Sequence, residues 1–140
     1  MITKMLQDDR REWELLTSLL DAHPDEVLHE SGFPPWVSRD VYAHLARWIN
    51  YSNREMVAYC AGNKPSPPAN NVEEMNLRWQ REDSWMSLGE ARKCAQEAFS
   101  ERIRLIRSIP LDRWDKELEK TSLFDGAKHF ILHRKYIRLA

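Results

Sequence analysis

The distribution of proline and glycine constrains this chain more than any other feature of its sequence. Only four of the 140 residues are glycine. The seven prolines are confined to positions 24, 34, 35, 65, 67, 68 and 110. Proline interrupts helices and glycine weakens them, so the rest of the chain is left as long uninterrupted segments. Apolar residues recur in these segments at intervals of three and four, which is the period of an amphipathic helix.

Four helices are predicted from this period, and no segment shows the alternation typical of a strand. Their approximate ranges are 3–22, 38–61, 88–109 and 123–139. Between the second and third helices, the Pro-rich segment 62–71 is predicted to be irregular, and the charged segment 72–83 to form one or two helical turns. The economical arrangement is an all-α four-helix bundle, a single domain over residues 1–140, with a long crossover between helices two and three.

Local signals predict where the helices begin. Ser38 is the predicted N-cap of the second helix, where its hydroxyl would accept a backbone N–H, and Asp40 would then lie at the positive end of the helix dipole. Ser87 begins a Ser-x-x-Glu capping box that predicts the start of the third helix. Asn50 and Asn53 make the middle of the second helix unusually polar. They could line a polar cleft between helices, but we expect both to face water.

The composition argues against several classes of protein. The 21 Lys and Arg nearly balance the 22 Asp and Glu, for a formal net charge of −1, and no basic stripe of the kind that nucleic-acid binders carry is present. Near the N-terminus, charges precede any apolar stretch long enough for a signal peptide or membrane span. A cytoplasmic protein without nucleic-acid or membrane partners is predicted, with Cys60 and Cys94 reduced and structural.

Two of the five histidines lie four residues apart in the last predicted helix. His129 and His133 share one face of it, since residues at this spacing differ by about 40° in azimuth and about 6 Å along the axis. Both imidazoles can therefore converge on one metal ion. The same spacing also fits two ordinary helix residues that bind no ligand, so the pair alone leaves both interpretations open.

Three stretches carry motifs that point to a known family. Trp36–Trp48 reads W-V-S-R-D-V-Y-A-H-L-A-R-W, Glu74–Trp79 reads E-M-N-L-R-W and Phe124–His133 reads F-D-G-A-K-H-F-I-L-H. Together they resemble the signatures of the DinB-like superfamily, and are most similar to its ClbS/DfsB-like branch, over the region 36–137. The H-H-x-G-Q ending of many DinB-like proteins is absent, which favours that branch over the thiol-transferase branches.

The resemblance implies a left-handed bundle of up-down-down-up order that holds a divalent metal ion. Carried over residue by residue, the implied ligands are His44, His129 and His133. Three neutral imidazoles suit Zn²⁺, Ni²⁺ or Fe²⁺ and leave coordination positions open for water or substrate. Residues about one turn from these ligands are expected around the site: Asp40, Arg47, Trp48 and Tyr136.

An open three-histidine ion could activate water or polarise a thiol or carbonyl of a small molecule. Proteins of the superfamily that the chain resembles include thiol-dependent transferases and isomerases, and a hydrolase that acts on a reactive cyclopropane. No Glu stands inside the histidine pair in the manner of a His-Glu-x-x-His metalloprotease. The expected function is a metal-dependent hydrolase or thiol-type transferase for a small electrophilic substrate.

The alternative is a non-catalytic helical module that binds a ligand or dimerises and keeps its histidines as relics. Six tryptophans are more than one small core readily buries, which favours a homodimer in either case.

Overall fold

The computed structural model describes residues 2–26, 36–63, 71–123 and 125–137. In this part of the chain the structure is all-helical, with six α-helices, one short 3₁₀ helix at Leu111–Arg113 and no β-strand. The α-helices are α1 (Ile2–Ala22), α2 (Ser38–Cys60), α3 (Val72–Glu82), α4 (Leu88–Ser108), α5 (Lys116–Leu123) and α6 (Ala127–Tyr136). None of the described helices combines the length and the apolar character that crossing a membrane requires.

The first three predicted helices are confirmed as α1, α2 and α4, and the charged segment between the last two forms a longer helix than predicted. This helix, α3, has 11 residues. The side chain of Asn71 accepts a hydrogen bond from the backbone N–H of Glu74 at 3.0 Å. Glu73 and Glu74 lie in the first turn and Arg81 in the last, which matches the helix dipole. These end effects stabilise a helix that its few apolar residues do not predict.

The last helix, predicted over 123–139, is present as α6 but is shorter than predicted. A separate helix that was not predicted, α5, precedes it, and residues 138 and 139 of the predicted range lie outside the described part of the chain. Gly126 is the N-cap of α6, with a non-helical φ of −103° and ψ of −141°. The backbone N–H of Ala127 donates to Oδ1 of Asp9 in α1 at 2.9 Å. A contact with a distant helix therefore marks where α6 begins, and local periodicity cannot predict it.

The start of α2 also differs from the prediction by one residue. Val37 is the N-cap, and its backbone N–H donates to Oδ2 of Asp40 at 3.0 Å. The hydroxyl of Ser38 instead donates to the carbonyl oxygens of Leu20 at 2.7 Å and His23 at 3.2 Å. Ser38 thus satisfies carbonyl groups at the C-terminal end of α1, which helix ends otherwise leave without partners, and joins α1 to α2.

The hydrophobic core lies between α2 and the helices around it. α2 packs along α4 and also contacts α3 and α5, while α1 packs along α6. The most completely buried apolar side chains include Leu16, Leu20, Val41, Tyr42, Leu45, Ile49, Met56, Ile106, Leu118 and Phe130. Trp13 stacks on Phe99 with ring centroids 4.6 Å apart and meets Phe130 edge-on at 5.1 Å. These contacts hold α1, α4 and α6 together.

The polar middle of α2 is partly inside the protein. Asn50 is exposed, as predicted, but the expectation that Asn53 faces water is wrong, since Asn53 is buried. Its side-chain amide donates to the carbonyl oxygen of Ala98 in α4 at 3.1 Å. Ser52 is also buried, and its hydroxyl donates to the carbonyl oxygen of Thr121 in α5 at 3.3 Å. Both side chains link α2 to its neighbours through hydrogen bonds.

A buried ion pair lies against the N-terminal end of α6 and fixes its position. Nε of Arg102 in α4 donates to Oδ2 of Asp9 at 2.9 Å, and both side chains are almost completely buried, 0% and 1% exposed. Gly126 lies directly against this pair: a Cβ on it would clash with Nη2 of Arg102 and lie 2.8 Å from Oδ1 of Asp9. A second ion pair, between Arg134 and Glu12 at 2.7 Å, ties α6 to α1 further along. The position of α6 is therefore set by charged contacts from two other helices.

Candidate metal centre

Three histidine side chains meet between α2 and α6. His44 lies in the second turn of α2, and His129 and His133 lie one turn apart on α6. The ring of His44 is centred 4.6 Å from that of His133 and 5.5 Å from that of His129. One ligand nitrogen from each ring lies within 4.8 Å of those of the other two. The three histidines are thus close enough to hold a metal ion, and their predicted convergence is confirmed.

The cluster is sheltered from water. His44 is 9% and His133 5% exposed, and the side chain of His129 is 13% exposed. The buried ring of Trp36 packs against His44 with centroids 4.9 Å apart. Electrostatic interactions are stronger in such an environment than in bulk water.

The spacing of the two histidines on α6 fits ligands of one ion. Their Nε2 atoms lie 2.8 Å apart, so one ring acts as donor and the other as acceptor when both are neutral. Two imidazoles that coordinate one ion at about 2.0–2.1 Å have their nitrogens about 3 Å apart. The separation of the two nitrogens is therefore compatible with one shared ion, and neutral imidazole nitrogen is a preferred ligand of Zn²⁺ and neighbouring first-row metals.

Asp125 is a further residue of the centre. The helical periodicity of the sequence did not identify it as a site residue. Its Oδ1 lies 3.3 Å from Nδ1 of His129, and the side chain is buried, 2% exposed. Neither Nδ1 of His129 nor Oδ2 of Asp125 makes a well-aligned hydrogen bond to a described residue. A carboxylate behind a metal-ligating histidine keeps the proton on the far nitrogen and aims the other nitrogen at the ion. The signal that could have found Asp125 is its position four residues before His129.

Replacing Asp125 with asparagine is expected to lower the affinity for Zn²⁺ by about 10- to 100-fold, because the negative charge behind His129 is lost. Titration calorimetry of metal-stripped protein measures this affinity. Asp112→Asn is the matched control, since Asp112 is exposed on the 3₁₀ helix, and it should bind as the wild type does. Equal affinity of Asp125→Asn and the control would mean that Asp125 does not act on His129.

Asp40, expected near the site, lies beside it. Asp40 and His44 both line a narrow cavity of ≈ 10 Å³ between α2 and α3, which is room for about one water molecule. The carboxylate is engaged at the start of α2, accepting from the backbone of Val37 at 3.0 Å and from Nη2 of Arg39 at 2.9 Å. The side chain of Tyr136, also expected near the site, lies outside the described part of the structure.

Trp48 and Arg47 connect α2 to α3. Nε1 of Trp48 donates to Oδ1 of Asn76 at 2.8 Å, and its ring meets Trp79 edge-on with centroids 5.0 Å apart. Nε and Nη2 of Arg47 donate to the two oxygens of the buried carboxylate of Asp83, at 3.0 and 2.8 Å. Asp83 raises the pKa of Arg47 through these hydrogen bonds. The two residues hold α3 over the narrow cavity beside His44.

Tyr51 shares one face of α2 with His44, and it was not singled out from the sequence. It lies seven residues after His44, which is close to two helical turns. Partial burial, followed by the negative charges of Glu55 and Asp125, raises its pKa above the usual value for tyrosine. The phenol therefore stays protonated at neutral pH.

In comparisons with known proteins, no family model, no curated protein and no solved structure matches the chain significantly. The chemistry of the centre must therefore be argued from its own residues.

Proposed function

We propose that the protein is a metal-dependent enzyme that acts on a small electrophilic molecule, as a hydrolase or a thiol-type transferase. The observation that carries this proposal is the convergence of His44, His129 and His133 in a sheltered position. Three protein ligands leave coordination positions open for water or substrate, which is the arrangement of catalytic sites rather than structural ones. The divalent ion, Zn²⁺, Ni²⁺ or Fe²⁺, would supply Lewis acidity.

The surrounding residues support a catalytic centre. Trp36 packs on His44 and limits the access of water. Asp125 lies behind His129, where it would fix the orientation of that ring. The site thus combines candidate ligands with a positioning carboxylate.

The sequence resemblance to the DinB-like superfamily, closest to the ClbS/DfsB-like branch, adds to this proposal. In that proposal α1, α2, α4 and α6 correspond to the four helices of an up-down-down-up bundle, and α3 belongs to the crossover. We further propose that the protein is a cytoplasmic homodimer and that its substrate is a small molecule.

The proposed function is tested on protein purified without an affinity tag. Its metal content is measured, and it is then incubated with an epoxide, an activated cyclopropane and an α,β-unsaturated carbonyl compound, each with and without a low-molecular-weight thiol. We expect one ion per chain and metal-dependent consumption of an electrophile. A water adduct would identify a hydrolase, and a thioether a transferase.

The matched variants are His133→Ala, which should lose both metal and turnover, and His23→Ala, which should keep both because His23 lies outside the cluster. Stoichiometric metal without turnover of any electrophile would contradict the enzymatic proposal and favour the non-catalytic module. Absence of bound metal would contradict the metal centre itself.

A further inference from the structure

A groove whose lining includes none of the three clustered histidines runs along the seam between α1 and α4. It consists of two adjoining cavities of ≈ 600 and ≈ 480 Å³. Arg10 of α1 and Arg107 of α4 line both cavities, so the two are continuous at these residues. On α4 the lining extends from Phe99 into the residues after the helix, as far as Leu111, and the helical part alone is more than about 12 Å long. We call this feature the arginine groove.

The floor of the arginine groove is apolar. In the larger cavity it is formed by the stacked rings of Trp13 and Phe99 together with Ile103. In the smaller cavity Leu6 and Ile106 take this place. Ligand pockets in proteins have volumes of about 300–1,000 Å³ and are lined mainly by apolar and aromatic side chains with a few polar groups. Each cavity of the groove falls within that range of volume, with polar and charged side chains around its apolar floor.

The charges at the rim are unbalanced. Arg10 and Arg107 are exposed, and neither forms an ion pair or a side-chain hydrogen bond with any other described residue. Arg104, which also lines the larger cavity, is already paired with Glu101. Glu14 is the one acidic residue among those that line either cavity. Two guanidinium groups from different helices, both without a partner among the described residues, therefore line the same groove, in a chain that has more acidic than basic residues.

We propose that the arginine groove binds an amphipathic organic anion, a carboxylate on an alkyl or aryl body. The planar guanidinium group forms two parallel hydrogen bonds with a carboxylate, and Arg10 and Arg107 can do so from opposite sides. The body of the ligand lies on the floor of either cavity and buries apolar surface there.

The test is a calorimetric titration of the purified full-length chain with dodecanoate, kept below the concentration at which it forms micelles. We expect saturable binding of one dodecanoate per chain. The double variant Arg10→Gln and Arg107→Gln should weaken binding by at least about 10-fold, because charge-assisted hydrogen bonds are the strong ones. Both side chains lack partners among the described residues, so circular dichroism should show an unchanged fold.

Two controls make the result specific to the groove. The matched double variant Arg54→Gln and Arg81→Gln removes two exposed charges that line neither cavity, and it should bind dodecanoate within about 2-fold of the wild type. The dodecyltrimethylammonium cation, with the same tail and the opposite charge, should not bind saturably. Absence of saturable dodecanoate binding would overturn the proposal. Binding that survives the Arg10 and Arg107 substitutions, including binding at the histidine cluster, would overturn it as well.

Discussion

Replacing His44 with alanine is expected to lower the affinity of the protein for Zn²⁺ by more than about 100-fold, which exceeds the effect of losing a residue behind a ligand. His44 is the candidate ligand on α2, and its nitrogen lies within 4.8 Å of the candidate ligand nitrogens on α6. Without the His44 ring, only the imidazoles of His129 and His133 would remain as ligands. An ion held by these two rings would be exposed to solvent on the side of α2. Competition with a chromophoric chelator measures the loss.

The same experiment on three further variants shows which histidines are ligands. His129→Ala and His133→Ala should lose as much affinity as His44→Ala, while His23→Ala should bind like the wild type. Circular dichroism of the metal-free variants separates loss of a ligand from loss of the fold. If affinity fell for the α6 variants alone, a two-histidine site on one helix would replace the three-histidine centre.

Replacing Gly126 with alanine is expected to destabilise the protein by about 2–4 kcal/mol, the range of overpacking and of a disturbed buried ion pair. A Cβ at this position would clash with Nη2 of Arg102 and lie 2.8 Å from Oδ1 of Asp9. Neither atom can retreat freely, because both side chains are almost completely buried. The free energy of unfolding in urea measures the effect.

Gly89→Ala is the matched control for this substitution, and its effect should have the opposite sign. Gly89 lies in the first turn of α4, where the nearest atom to a new Cβ is Oγ of Ser87 at 3.9 Å. Alanine there should stabilise the protein by up to about 1 kcal/mol, since it favours the helix. If Gly126→Ala proved as stable as the wild type, the ion pair of Arg102 and Asp9 would not constrain the start of α6.

The parts of the fold that depend on local order could be predicted. Three long helices follow from a period of 3.6 residues, and the capping box at Ser87 is present at the start of α4, where it was predicted. The shared face of His129 and His133 follows from their spacing alone. In each case residues within a few positions of one another determine the result.

The parts that depend on distant contacts could not be predicted. The break before α6 needs Asp9 and Arg102, which lie on α1 and α4. The polarity of the Asn53 side chain favoured a place at the surface, but a carbonyl group of α4 accepts its hydrogen bond inside the protein. The N-cap of α2 is Val37, one residue before the predicted Ser38, because the Ser38 hydroxyl donates to a carbonyl oxygen at the end of α1.

The position of His44 in the site was predicted from the family resemblance and not from a local pattern. No local pattern shows that the start of α2 faces α6, so the spacing of residues could not assign it as a ligand. The family resemblance suggested the position, and the structure places the ring 4.6 Å from that of His133. The opposite holds for Asp125. Its spacing of four residues from His129 can be read from the sequence, but only the structure shows that the side chain is buried beside that ring.

X-ray absorption at the zinc edge of the protein loaded with one equivalent of Zn²⁺ tests the central claim most directly. We predict a first shell of nitrogen and oxygen at about 2.0–2.1 Å, with the outer-shell scattering of three imidazoles that only histidine ligands produce. Sulfur at about 2.3 Å, which would indicate Cys60 or Cys94, or scattering from fewer than three imidazoles, would contradict it.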